Sequence, residues 1–94
     1  MATMRYENKV YSDTSVPKAR INGILFGADF EPWDFKTIKG KKRIVQEIRS
    51  SGKRYLVAYP VPKKSILEDG DDLEYWMDTH VLAVYPEHQK ITRK

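Results

Sequence analysis

The spacing of apolar positions along this chain changes several times, and each change marks an expected element. In residues 5–12, RYENKVYS, Tyr6 and Val10 share one parity while Glu7, Lys9 and Tyr11 share the other, the alternation of a half-exposed strand. DTSVP follows, a cluster of turn formers ending in a proline that has no N–H for a ladder. ARINGILFGADF then supplies Ile21, Ile24, Leu25 and Phe26, which reads as a second strand with Gly23 or Gly27 at a bulge or an end. These two strands are expected to pair as a hairpin.

The period lengthens over EPWDFKTIKGKKRIVQEIRSSGK. Phe35, Ile38, Val45 and Ile48 recur at spacings of three or seven, and Ile44 to Ile48 adds a four, which predicts a helix with one buried face. Asp34 or Thr37 would cap its start, and Gly52 would stop it after Ser50 and Ser51. Gly40 is its weak point, because an interior glycine costs about 1 kcal/mol relative to alanine. RYLVAYP is apolar on both parities and ends at Pro60, as a central strand would. PVPKKSILEDGDDLEYWMD has little periodicity before DDLEYWM and reads as a long connection carrying a short helix. THVLAVYP gives the last strand, and QKITRK a short edge strand or a tail.

Leu56 to Pro60 and Leu82 to Pro86 both close on Tyr-Pro, but five residues are too few for a repeat; two neighbouring strands ended by prolines explain the likeness. The expected fold class is therefore α+β: a small single-layer antiparallel sheet of about four strands packed by one main helix. The expected order is strand-strand-helix-strand-strand, with a short extra helix in the long connection. A length of 94 residues suits a single compact domain over 1–94, with loose ends at about 1–4 and 90–94.

Composition narrows the chemistry. A hydrophobic content of 40% with 12% aromatics is enough for a folded core. There is no cysteine, so disulfides, thiolate metal sites and cysteine nucleophiles are excluded together. There is no apolar run of about 18 residues and no secretory core in MATMRYENKV, so a cytoplasmic protein without membrane partners is expected.

The net charge of +4 is unevenly spread. Between Lys36 and Arg54 lie Lys36, Lys39, Lys41, Lys42, Arg43, Arg49, Lys53 and Arg54, against Glu47 alone. On the expected helix, Lys39, Lys42, Arg43, Gln46 and Arg49 form a polar stripe, the arrangement by which several cations on one rigid element displace counterions from a polyanion. A solvated helix face would look the same. Tyr55, Val57 and Tyr59 share one face of the next strand, which puts two rings beside the basic region, as base stacking requires. Trp33 and Phe35, just before it, read as core anchors. The candidate polyanion-binding or partner-binding residues are thus Lys39, Lys42, Arg43, Arg49, Lys53, Arg54, Tyr55 and Tyr59. Lys53, Arg54, Lys63 and Lys64 bracket the first Tyr-Pro strand, whereas Asp78 and Glu87 bracket the second.

The opposite pole is EDGDDLEYWMD, with Glu68, Asp69, Asp71, Asp72, Glu74 and Asp78 and no base. Gly70 comes too early for a calcium loop of the EF-hand type. The segment reads instead as an acidic aromatic loop, with Asp71, Asp72, Glu74, Tyr75 and Trp76 as an alternative protein interface. His80 and His88 lack a third ligand, GKKR lacks phosphate-loop spacing, and no serine stands in a recognisable triad context. No enzyme, metal or cofactor is expected.

The leading expectation is a small non-enzymatic binding protein whose basic helix and strand contact nucleic acid or a nucleoprotein complex. The rival is a protein-binding inhibitor acting on a host complex through charged surfaces and the acidic aromatic loop. Viruses and mobile elements make such inhibitors against nucleic-acid-guided host defence, the anti-CRISPRs among them. The opposed charges also admit pairing between copies, as a homo-oligomer.

Overall fold

The computed structural model describes residues 3–88, and three tight turns shape it. Glu7-Asn8, Lys39-Gly40 and Ser51-Gly52 each join two antiparallel strands by two residues, and all six have positive φ, from 52° to 82°. Positive φ at both loop positions is the mark of the type I′ turn, whose twist matches that of the strands it joins. The first turn links β1 (Thr3–Tyr6) to β2 (Lys9–Ser12). The other two link β3 (Asp29–Ile38), β4 (Lys41–Ser50) and β5 (Lys53–Pro60) into a meander, which β6 (Ala83–Pro86) completes in the order β3-β4-β5-β6.

Helix α1 (Lys18–Leu25) precedes the meander, while α2 (Lys64–Leu67) and α3 (Gly70–Thr79) lie between β5 and β6. Asp69 caps α3, its carboxylate accepting from the N–H groups of Asp71 and Asp72 at 3.0 and 3.1 Å, and the acids of the first turn suit the positive end of the helix.

Strand β4 is buried on both faces. On one face Ile44 and Ile48 pack with Val57, Tyr59 and Val84 beneath Ile21 of α1 and Leu73 and Met77 of α3. On the other, Val45 packs with Leu56, Ala58 and Tyr85 against Tyr11 of β2. The same face buries Glu47, which accepts from the Tyr11 hydroxyl at 2.7 Å and pairs with Lys9 at 2.9 Å. Burial, and next the Glu47 contact, push the Tyr11 hydroxyl above its ordinary pKa.

The fold is α+β with a four-stranded antiparallel sheet, as expected, but its helices stand elsewhere. The stretch expected to be the main helix is the β3–β4 hairpin, and Gly40 and Gly52 are turn residues rather than a helix defect and a helix stop. The expected second strand is α1: Ile21, Ile24 and Leu25 turn to the core at helical spacing and leave Phe26 88% exposed at the end. Residues 5–12 form most of one hairpin rather than one strand, so the expected pairing of that segment with the next is replaced by β1–β2. The strands ending at Pro60 and Pro86 are neighbours, with Leu56 opposite Tyr85. The short helix of the long connection is α3, extended by α2. Of the ends expected to be loose, Thr3 and Met4 pair with Ser12 and Tyr11 in β1–β2; the rest, and the QKITRK segment, lie outside the described residues.

Candidate functional site

A groove of about 1310 Å³ lies around the β4–β5 turn. Its floor is the end of the hairpin, where Ser50 faces Lys53 and Arg49 faces Arg54 across the strands. One wall is α1, contributing Arg20, Gly23 and Ile24, and the other is the end of β6 with Glu87 and His88. That second wall is fixed by the backbone: the Glu87 N–H donates to the Arg54 carbonyl at 3.0 Å and the His88 N–H to the Val10 carbonyl at 2.6 Å. Tyr55, half-buried and opposite Pro86, lines the groove between them.

Four cations, Arg20, Arg49, Lys53 and Arg54, and one carboxylate, Glu87, line the groove, with Lys53 and the Arg49–Arg54 pair on opposite faces of the hairpin. Glu87 reaches Arg54 at 3.8 Å, a loose contact, and Arg49 is in no ion pair among the described residues. Asp29 stands beside Arg49 in the β3–β4 register without forming one. Like charges directly opposite each other on neighbouring strands disfavour the pairing. The Arg49–Arg54 pair therefore leaves a local excess of positive charge on a rigid hairpin.

Of the residues singled out in the sequence, Arg49, Lys53, Arg54 and Tyr55 meet here. Lys39, Lys42 and Arg43 do not: they sit at the other end of β4, with Lys42 about 24 Å of strand away from Arg49 at the usual rise per residue. The helical stripe is lost with the helix. Strand alternation sends Lys42 and Gln46 to the helix-covered face and Arg43 and Arg49 to the opposite one. The Gln46 side chain is used internally, accepting from the Tyr59 hydroxyl at 2.7 Å and donating to the Glu31 carbonyl at 2.8 Å.

Tyr59 drops out as a stacking platform. It shares a face with Tyr55 but is only 2% exposed, and burial, followed by the nearby Asp78 charge, holds its hydroxyl pKa above the ordinary value. Trp33 packs half-buried against the core, as expected, whereas Phe35 does not anchor it. They pack edge to face at 5.2 Å on β3, with Phe35 37% exposed and the Lys42 ammonium 4.4 Å from its ring centre.

In the acidic segment, Asp71, Asp72 and Glu74 are exposed and Tyr75 is 71% exposed on α3. Trp76 is half-buried and engaged within the chain, its indole N–H donating to the Pro60 carbonyl at 2.9 Å and its ring stacked on His80 at 3.8 Å. Arg20 and His88 were missed in the sequence. Arg20 lies outside the dense basic run on a segment read as a strand, and no local pattern links His88 to the β4–β5 turn. Among the described residues no helix is long and apolar enough to cross a membrane. No protein-family model matches this chain, and neither the curated proteins nor the solved structures compared with it give a match.

Proposed function

We propose that this chain is a non-enzymatic nucleic-acid-binding protein that holds a single-stranded segment, free or within a nucleoprotein, in the groove around the β4–β5 turn. The carrying observation is the cross-strand Arg49–Arg54 pair with Lys53 and Arg20 nearby, against Glu87 in the groove lining and Asp29 beside Arg49 on β3 among the described residues. A phosphate chain supplies the missing negative charge at several points together, and release of its counterions favours binding. Tyr55 offers one ring edge or face to a base beside the phosphates.

The test is fluorescence anisotropy with a labelled single-stranded oligonucleotide at low and high salt. The Arg49→Glu/Lys53→Glu variant, its fold checked by circular dichroism, should bind at least about tenfold more weakly, since each phosphate contact carries a salt-dependent share of the affinity. Absence of binding by the wild type at low salt, or equal binding by the variant, defeats the reading.

A second reading, a protein-binding inhibitor that uses α3, is favoured by the exposed Tyr75 flanked by Asp71, Asp72 and Glu74. Capture of a host protein that survives nuclease treatment and is lost in Tyr75→Ala would support it. Tyr75 is the residue to change because it is exposed, whereas Trp76 is engaged by the Pro60 carbonyl and the His80 ring.

A further inference from the structure

A second cavity, of about 470 Å³, opens between β3 and α3 on the helix-covered face of the sheet. That size lies within the range of ligand-binding clefts. Phe30 and Trp33 of β3 form one wall, Leu73 and Met77 of α3 the base, and Glu74 and Asp78 of α3 the rim. We propose that this cavity receives an arginine side chain from a protein partner.

Three features favour a cation there. Glu74 and Asp78 are one helical turn apart, so their carboxylates lie on one side of α3, and neither joins an ion pair among the described residues. Asp78 also sits in the last turn of α3, which has no basic residue to offset the negative end of the helix. The aromatic row beside the cavity already holds a cation, since Phe35, edge to face with Trp33, carries the Lys42 ammonium at 4.4 Å. An anion would meet two carboxylates, and a purely apolar occupant would leave both without a partner.

Arginine fits better than lysine. Its planar guanidinium stacks on an indole and presents a fork of donors to carboxylates, whereas an ammonium is a compact, strongly hydrated charge. The inner polar groups make no demand on the occupant, because the Tyr59 hydroxyl and the Gln46 amide are already joined. Half of the Phe30 surface is exposed at the mouth, leaving apolar area for the backbone or a neighbouring side chain of the partner.

The probe is a short acetylated peptide, Gly-Arg-Gly-Arg-Gly, titrated into the labelled protein while the Trp33 indole N–H and the Met77 methyl signals are followed by NMR. Saturable shifts of both are expected. The Glu74→Gln/Asp78→Asn variant, altered only at exposed positions, should bind about tenfold more weakly, as loss of two partly solvated ion pairs implies. Peptides with citrulline or lysine in place of arginine should shift these signals less at every concentration. The proposal is overturned if the arginine peptide leaves Trp33 and Met77 unmoved, if the neutralised variant binds as tightly as the wild type, or if the citrulline or lysine peptide matches arginine.

Discussion

The two ends of strand β4 carry nearly the same charge in very different surroundings. At its start stand Lys39, Lys41, Lys42 and Arg43 around one type I′ turn; at its end stand Arg49, Lys53 and Arg54 around another. The first turn projects alone: Lys39 and Lys41 are exposed, Lys42 rests on Phe35, and the nearby Lys36 ammonium is spent on the Arg5 carbonyl at 2.9 Å. The second turn is walled by α1 and by the end of β6, so Arg20 and Glu87 are brought beside its cations, with Lys53 on the face that α1 covers and the Arg49–Arg54 pair on the other. Charge alone does not make a site. What distinguishes the second end is its walls, which add Arg20 and one carboxylate, Glu87, to the hairpin cations and give a ligand more than one element to touch.

Turn geometry offers the sharpest way to break the contrast. Gly40 and Gly52 have φ of +82° and +77°, and a Cβ at either would touch nothing within 4 Å, so alanine meets only the backbone penalty. Gly40→Ala and Gly52→Ala should each lose about 1–2 kcal/mol in urea unfolding. Oligonucleotide affinity, measured where both variants remain folded, should fall only for Gly52→Ala, because that change disturbs the Ser50–Lys53 and Arg49–Arg54 pairs. Equal losses at the two turns would erase the distinction between the ends.

The middle of β4 keeps the ends positive. Glu47, the one acid in the basic run, is taken up by Tyr11 and Lys9 and is 8% exposed, so it neutralises neither turn. Tyr11→Phe should cost about 1 kcal/mol at neutral pH by removing one donor to that carboxylate. Because the folded pKa of Tyr11 lies above its unfolded value of 10.0, the neutral phenol stabilises the fold fully below pH 10, and that contribution is lost as pH rises through the folded pKa. Urea titrations above pH 10 should therefore show the wild type losing up to about 1.4 kcal/mol per pH unit more than Tyr11→Phe. Parallel pH profiles would show that Tyr11 is not sequestering the acid.

The same strand explains what the sequence disclosed and what it hid. Ile44 and Ile48 face the helices while Val45 faces the β1–β2 hairpin, so a strand buried on both sides produced spacings of three and four that imitate one helical face. Gly40 and Gly52, which the helical period casts as a weak point and a stop, are the second residues of two-residue hairpin loops. The strands ending at Pro60 and Pro86 were legible because both are continuous apolar runs with a proline stop. Arg49, Lys53, Arg54 and Tyr55 were legible as a group since a tight turn keeps sequence neighbours together in space. Arg20 and His88 reach the same groove through long-range packing, which no local spacing encodes. Tyr59 shared Tyr55's parity, but only the placement of α3 decides that one ring is covered and the other half open.

Salt dependence carries the comparison to single charges. Each cation that meets a phosphate of a single strand adds about 0.7 to the slope of log affinity against log salt. Arg49→Gln should lower that slope by about 0.7 and weaken binding alike across oligonucleotide sequences, as loss of a phosphate contact does. Lys41→Gln removes the same charge from the same strand, and the long-range field of the protein falls equally in the two variants. At an ionic strength where the Debye length is about 10 Å, Lys41 is screened from a ligand at the far turn, so its loss should leave the slope within error of the wild type. A matching drop in both variants would mean that net charge, rather than the enclosed end of β4, governs the interaction.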